Sequence, residues 1–161
     1  MNEFFTTNYE ILKSQKLNII DKDTERPWGG FFVISEENAQ DFSKIYFNDI
    51  NIEKLKVSGI LSPKILVIAP NKRLSWQYHH RRIEIWKVVR GEIKVITSHD
   101  DIERKEKILM EGDELKLSKG ERHRIIGLDE YAVVAEIWIH TDKGNPSDED
   151  DIVRVQDDFG R

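Results

Sequence analysis

The sequence lacks several features that would define whole classes of protein. It contains no cysteine, which excludes a disulfide framework, a thiolate metal site and a cysteine nucleophile. Basic residues are not in excess, and the net charge of −5 argues against nucleic acid as a partner. No apolar run approaches the roughly 18–20 residues of a membrane span, and the first residues do not have the basic and apolar regions of a signal peptide. We therefore expect a cytoplasmic protein with no membrane partner.

The residues that are present describe a globular protein. The chain is most simply one domain, residues 1–161, and is long enough to bury a core. In the N-terminal extension, residues 1–25, the capping-box spacing of Thr7 and Glu10 predicts a short helix. Residues 29–35 are typical of a strand. Ser35 then opens an amphipathic helical stretch, in which the apolar positions are Ala39, Phe42, Ile45 and Tyr46.

From Pro63 onward the hydrophobic period becomes that of β-strands. Turn signals separate seven short runs rich in β-branched and aromatic residues, at 64–69, 74–79, 84–89, 92–97, 113–118, 123–128 and 133–140. Their short connections leave no room for crossover helices, which predicts an antiparallel sandwich or barrel over residues 63–140. In the tail, residues 145–161, the spacing of Ser147 and Asp150 predicts the cap of a short helix.

A candidate metal site lies across these runs. Gln77, His79 and Glu84 can each donate a lone pair to a cation, and a distant run supplies His123. Strand alternation places Gln77 and His79 on one face, where such side chains would be costly in a core unless they bound something. This mixed nitrogen and oxygen set suits Mn²⁺, Fe²⁺, Co²⁺ or Zn²⁺. The alternative is that the histidines are surface residues and residues 79–82 a solvated basic turn.

These segments resemble the paired motifs of the cupin superfamily. The first motif is matched from Gln77 to Gly91, with Gln77 in place of its first histidine, and the second from Gly112 to His123. The chain is most similar to the type II phosphomannose isomerases, which form the C-terminal domain of bifunctional mannose-1-phosphate guanylyltransferases and also occur alone. The segments that carry this similarity are Arg26–Gly29 (RPWG), Leu74–His80, Arg82–Trp86, His123–Arg124 and Glu149–Arg161. The resemblance implies an all-β cupin double-stranded β-helix, a jelly-roll barrel, with short N-terminal and inserted helices, one divalent metal ion and a homodimer.

The resemblance also implies a reaction. The family interconverts mannose 6-phosphate and fructose 6-phosphate by moving a proton between C2 and C1 through an enediol or enediolate. In that reaction Gln77, His79, Glu84 and His123 would hold the metal, and Arg82 matches a family arginine that the resemblance assigns to catalysis.

Two further residues are candidates for proton transfer. Lys64 is in phase with Leu66 and Ile68, which predicts that it points inward. Desolvation there would lower its pKa and make it suitable for proton transfer. The alternative is a lysine that snorkels from the edge of the sheet. Glu136 is the one acid in an apolar run. Its position allows three roles: the base, a partner of a metal ligand, or a buried salt-bridge partner.

Two arginines of the tail are candidates for binding the substrate phosphate. Arg154 and Arg161 would reach it if the tail folds over the mouth of the barrel. The alternative pairs Arg154 with Asp150 or Asp158 on a helix surface.

Three departures from the family pattern leave other functions open. Ile85 stands where the family usually has a histidine, which keeps a non-catalytic metal- and phosphosugar-binding cupin possible. Residues 36–62 form a helical insertion with no obvious parallel. No Gly-rich phosphate loop is present, so guanylyl transfer is not expected. A second alternative is an isomerase or epimerase of another phosphosugar or of a nucleotide sugar.

Overall fold

Strands account for most of the ordered elements of the protein. The computed structural model describes residues 1–161. Two α-helices occur, α1 (Glu3–Ser14) and α2 (Ala39–Tyr46), with short 3₁₀ turns at Glu36–Asn38 and Ile52–Lys54. The strands are β1 (Ile19–Arg26), β2 (Gly29–Ile34), β3 (Lys64–Ile68), β4 (Trp76–Tyr78), β5 (Arg82–Arg90), β6 (Ile93–Ser98), β7 (Lys105–Leu109), β8 (Glu114–Leu117), β9 (Arg122–Gly127), β10 (Ala132–His140) and β11 (Val153–Gln156). No helix is long and apolar enough to cross a membrane.

The strands form two antiparallel sheets. One has the order β1-β2-β3-β10-β5-β8 and the other β11-β4-β9-β6-β7. Strand β10 lies between β3 and β5, and every one of its residues is buried because both faces of the sheet are covered. Burial on both faces explains why its sequence is a nearly continuous apolar run, interrupted by Glu136, rather than an alternating one. The predicted all-β jelly roll of the cupin type is confirmed.

The six-stranded sheet separates two hydrophobic cores. Leu66 and Ile68 of β3 point into the space between the sheets, whereas Ile65 and Val67 point to the outer face. Helices α1 and α2 cover that outer face with Phe5, Leu12, Phe42 and Tyr46. The helices of the N-terminal extension and of the insertion therefore pack on the back of the sheet.

The predicted start of the first helix and the predicted helix of the tail are both wrong. Helix α1 begins at Glu3, because the side chain of Asn2 accepts the N–H of Phe5 at 3.1 Å. The predicted capping residues Thr7 and Glu10 lie inside this helix. In the tail, the residues after Asn145 form no helix. Ser147 donates its hydroxyl to Asp151, and strand β11 follows.

Three of the four edge strands were not predicted from the sequence. Strands β1, β7 and β11 are mostly polar and exposed, and each pairs on one side only. An edge strand buries neither face fully and often carries charges, so the apolar alternation that marks a strand in sequence is absent.

Candidate metal centre

Three of the four predicted metal ligands lie together inside the barrel. His79 follows β4, Glu84 lies in β5 and His123 lies in β9. Nε2 of His79 is 3.2 Å from Oε1 of Glu84, and Nε2 of His123 is 3.5 Å from Oε2. Their ligand atoms all lie within 4.8 Å of one another, and each residue is only 3% exposed. The predicted alternative of surface histidines is therefore wrong.

Hydrogen bonds orient both imidazole rings with Nε2 toward Glu84. Nδ1 of His79 lies 2.7 Å from the carbonyl oxygen of Asp151, and Nδ1 of His123 lies 2.9 Å from that of Glu121. A carbonyl only accepts, so each Nδ1 donates its hydrogen and Nε2 keeps the lone pair that binds metals.

The protonation states also suit a cation. Burial lowers the pKa of His123 to about 4, so its ring is neutral at pH 7. Burial alone would raise the pKa of Glu84, but the guanidinium of Arg82 beside it holds the pKa well below its usual value, and the carboxylate is ionised. Nε2 of His123 is buried without a hydrogen-bond partner, a costly arrangement that a bound cation relieves. Two imidazoles and one carboxylate therefore fit a divalent transition metal.

The fourth predicted ligand, Gln77, lies beside this group. It pairs across the strands with His123 and lines the same cavity as Glu84. Its Oε1 accepts the hydroxyl of Ser75 at 2.6 Å. An amide oxygen has a second lone pair, so the position of Gln77 allows coordination, which stays a prediction.

The positively charged side chain of Arg82 contacts two of the candidate metal ligands. Its Nε donates to Oε1 of Glu84 at 2.9 Å, and its Nη2 donates to Nε2 of His79 at 3.2 Å. The guanidinium also stacks on the ring of Trp138, 3.6 Å from its centroid. Arg82 faces inward with Glu84, as strand alternation predicts.

A cavity of about 500 Å³ opens beside the ligands. All the predicted catalytic and phosphate-binding side chains line it: Lys64, Arg82, Glu136, Arg154 and Arg161. Arg26 and Trp28 of the RPWG segment also line it, and Gly29 lets this segment lie against β3. A Cβ at Gly29 would lie 2.0 Å from the carbonyl oxygen of Val67, so only glycine fits.

Lys64 points into the cavity, as its phase predicts. It is 6% exposed, so the alternative of a snorkelling edge lysine is wrong. Its ammonium forms an ion pair with Glu149 of the tail and lies 4.4 Å from the ring centroid of Trp138.

Glu136 is a buried carboxylate held by two indoles. Trp138 donates to its Oε1 at 2.8 Å and Trp86 to its Oε2 at 2.9 Å. It forms no salt bridge, so the interpretation as a salt-bridge partner is wrong. Burial and the negative charge of Glu84 raise the pKa of Glu136 to about 7. The two neighbouring carboxylates thus differ, since Glu84 is ionised and Glu136 titrates near neutrality.

The two tail arginines differ in their partners. Nε of Arg161 lies 2.9 Å from Oδ2 of Asp157, whereas the side chain of Arg154 makes no hydrogen bond or ion pair. The predicted alternative of Arg154 paired with Asp150 or Asp158 on a helix is wrong, because β11 is extended and Asp158 binds Arg73. The cation of Arg154 is therefore free to bind an anion in the cavity.

Sequence reasoning missed several residues of the site. Trp138 is not among the predicted site residues, although it lies two positions after Glu136 and alternation places both on one face. Ser147, Glu149 and Asp151 reach the site from an irregular segment, where no period indicates direction.

The departure at Ile85 does not touch the site. Its side chain packs in the core on the outer face of the sheet, with Phe32 and Ile137. Strand alternation turns it away from Glu84 and Trp86, so a histidine lost at this position removes no group from the cavity.

Comparisons with known proteins agree with this description. The family model described as mannose-6-phosphate isomerase C-terminal matches residues 35–157. Mannose-1-phosphate guanylyltransferase of Salmonella montevideo is 27% identical over 150 residues, which cover 93% of this chain and 26% of that protein. The guanylyltransferase of Escherichia coli is 35% identical over 98 residues, which cover 61% of this chain and 19% of that protein. The chain thus spans about a quarter or less of the length of these curated relatives.

Among solved structures, oxalate decarboxylase from Bacillus subtilis is similar in fold. Its TM-score is 0.57 at 16% identity, and the match covers 83% of this chain and 29% of that one. This likeness concerns the fold alone. Because the family model covers most of the chain and the barrel carries the buried His-Glu-His group, the chain belongs to the mannose-6-phosphate isomerase C-terminal family of cupin domains.

Proposed function

We propose that this chain is a metal-dependent sugar-phosphate isomerase that interconverts mannose 6-phosphate and fructose 6-phosphate. The observation that carries the proposal is a pair of buried carboxylates, Glu84 and Glu136, whose pKa values are shifted in opposite directions. They line one cavity together with the basic side chains Lys64, Arg82 and Arg154. Such a pair is typical of sites in which one acid holds charge and the other moves a proton. Membership of the family supports the substrate.

Glu136 is the proposed general base. The reaction removes a proton from C2 and returns one to C1, and a base works best when its pKa is close to the working pH. Without a metal the pKa of Glu136 is about 7, and a dication beside Glu84 would lower it, which keeps the base ionised at neutral pH. The indole hydrogens of Trp86 and Trp138 fix both carboxylate oxygens. Each indole donates to the charged form, so the carboxylate stays oriented while it accepts and returns the proton.

Lys64 and Arg82 are the proposed partners of the sugar oxygens. Negative charge develops on the oxygens at C1 and C2, and fixed donors in a dry cavity stabilise it. Both side chains are buried, and both lie against Trp138. The ammonium of Lys64 can also donate a proton to the substrate oxygen. A divalent metal held by Gln77, His79, Glu84 and His123 supplies Lewis-acid stabilisation of the same charge when bound.

Arg154 and Arg161 are the proposed phosphate ligands. Both line the cavity, and Arg154 has no competing carboxylate. A guanidinium binds two phosphate oxygens at once, which fixes the orientation of the sugar phosphate and also adds to its affinity. The family model that matches is described as an isomerase, so guanylyl transfer is not proposed. The homodimer and the cytoplasmic location stay predictions.

Proton NMR in D₂O tests the function directly. Mannose 6-phosphate is incubated with the protein, with and without a chelator. We expect ketose signals, deuterium at the exchanged carbon and loss of both on chelation. Metal-loaded protein without conversion would refute isomerisation of this sugar and favour another phosphosugar or a binding function.

A further inference from the structure

A segment of the tail lies directly behind the metal ligands. We call residues Ser147–Asp151 the tail turn. The carbonyl oxygen of Asp151 accepts the Nδ1 hydrogen of His79 at 2.7 Å. Nη1 of Arg82 donates to the hydroxyl of Ser147 and to the carbonyl oxygen of Asp148, both at 3.1 Å. His79 and Arg82, which both contact Glu84 at the candidate metal site, are therefore also bonded to the tail turn.

The carboxylate of Asp151 fastens the tail turn to the barrel. It accepts the backbone N–H of His80 at 2.9 Å, that of Arg81 at 3.0 Å and the hydroxyl of Ser147 at 2.5 Å. Its side chain is 0% exposed. These three donors belong to the turn after β4 and to the tail turn itself, so a single side chain holds the two segments together.

This arrangement divides the two nitrogens of His79 between two tasks. Nε2 faces Glu84, and Nδ1 is held by the tail turn. The acceptor at Nδ1 decides which tautomer the ring adopts, and partners of this kind orient metal-binding histidines in general. Without the carbonyl of Asp151, the ring would exchange tautomers and rotate, and Nε2 would no longer always present a lone pair to a metal.

We propose that the tail turn is part of the metal centre and that Asp151 is a positioning residue for His79, so that metal binding and docking of the tail are coupled. The inference rests on the proposed metal-dependent function. Arg82 donates to the same atoms of His79 and Glu84 that would hold a metal, and it also donates to Ser147 and Asp148, so these contacts link the ligand atoms to the tail turn. Strand β11 begins two residues after Asp151 and brings Arg154 to the cavity.

Coupling of this kind is reciprocal. If the docked tail strengthens metal binding by some factor, the metal strengthens docking of the tail by the same factor. A metal should therefore slow hydrogen exchange of the amides in β11, which are bonded to β4.

Titration with Co²⁺ tests the proposal. The variant is Asp151→Ala, and the matched control is Asp129→Ala, which removes the same charge from an exposed carboxylate that makes no hydrogen bond or ion pair and lies outside the cavity. We expect Asp151→Ala to raise the Kd for Co²⁺ by about 10- to 100-fold, the usual cost of removing a partner of a ligand. The control should leave the Kd unchanged, because its side chain bonds to no metal ligand and to no partner of one. Ser147→Ala keeps the carboxylate of Asp151, so it should raise the Kd for Co²⁺ less than Asp151→Ala does and leave the protein more stable than that variant.

A second measurement reports on the ring of His79 itself. In metal-free wild-type protein, ¹⁵N NMR should show Nδ1 protonated in both His79 and His123. In Asp151→Ala the His79 signals should move toward a mixture of tautomers. His123, whose Nδ1 donates to Glu121, should not change. A purely structural role of Asp151 would not separate the two rings.

The outcomes separate the inference from the function. If the wild type binds no Co²⁺, both the metal centre and the inference are refuted. If folded Asp151→Ala binds Co²⁺ as tightly as the wild type and keeps the His79 tautomer, the metal centre stands and the inference is refuted. If the expected differences appear without conversion of mannose 6-phosphate, the inference is supported and the isomerase proposal is refuted.

Discussion

Replacement of Glu136 by glutamine should remove activity and at the same time stabilise the protein at alkaline pH. The amide has the shape of the carboxylate and carries no charge. Its oxygen can accept the indole hydrogen of Trp138, and Trp86 keeps a second acceptor in Glu84 at 3.2 Å. We therefore expect Glu136→Gln to fold normally and to lose about 10²- to 10⁴-fold in kcat, the usual contribution of a general base.

The magnitude of the stability effect follows from the pKa of Glu136. Burial and the charge of Glu84 raise it from 4.5 to about 7. The folded state then holds a proton that the unfolded state has already lost, so stability falls as the pH rises through this interval. Since one pKa unit corresponds to about 1.36 kcal/mol, ionising Glu136 in the folded protein costs roughly 3 kcal/mol. Below pH 4.5 the cost is absent, and above pH 7 it is complete.

Denaturant unfolding of metal-free protein measures this cost. A chelator is needed because a dication beside Glu84 would itself lower the pKa of Glu136. Between about pH 5 and about pH 8.5, the free energy of unfolding of the wild type should fall relative to Glu136→Gln by about 2 to 3 kcal/mol. Glu92→Gln, which removes an exposed carboxylate, should keep the pH dependence of the wild type. A constant difference between wild type and Glu136→Gln would refute the raised pKa, and full activity would refute the role as base.

Three other predictions concern the metal, the phosphate and acid stability. Glu84→Gln and His123→Ala should each abolish stoichiometric metal binding while keeping the β-sheet circular dichroism spectrum, and a variant with full metal content would contradict the ligand assignment. Arg154→Ala should raise KM for mannose 6-phosphate at least about tenfold with little change in kcat, since a charged hydrogen bond contributes about 1.5–3 kcal/mol; Arg104→Ala, at a surface pair with Asp100, is the control. Burial opposes ionisation of Asp151, but bonds from Ser147 and two backbone amides lower its pKa from 3.8 to about 2. This stabilisation of about 2 kcal/mol is present above pH 3.8 and is lost as the pH falls through 2, so Asp151→Asn should flatten the acid limb of the stability curve, and an unchanged limb would contradict it.

The parts of the site that sequence reasoning placed correctly are those within one strand or one turn. Arg82 faces the cavity with Glu84 because side chains alternate along a strand, and Lys64 points inward with Leu66 and Ile68 for the same reason. The errors fall where that rule does not apply. The tail has no period, so Ser147 was paired with Asp150 in a helix, whereas its partner is Asp151 in a turn.

The sequence by itself determined the fold class and the set of candidate ligands, because apolar periodicity and residue spacing are local properties of the chain. Only the tertiary structure decided how these residues act. The place of His123 beside Glu84 depends on packing of the two sheets, because β9 and β5 belong to different sheets, and the proton on Nδ1 of His79 depends on a carbonyl 72 residues away. The pKa of Glu136 likewise arises from burial and from the charge of Glu84 on a neighbouring strand. Protonation and orientation are set by electrostatic surroundings, and those surroundings exist only once distant segments have packed together.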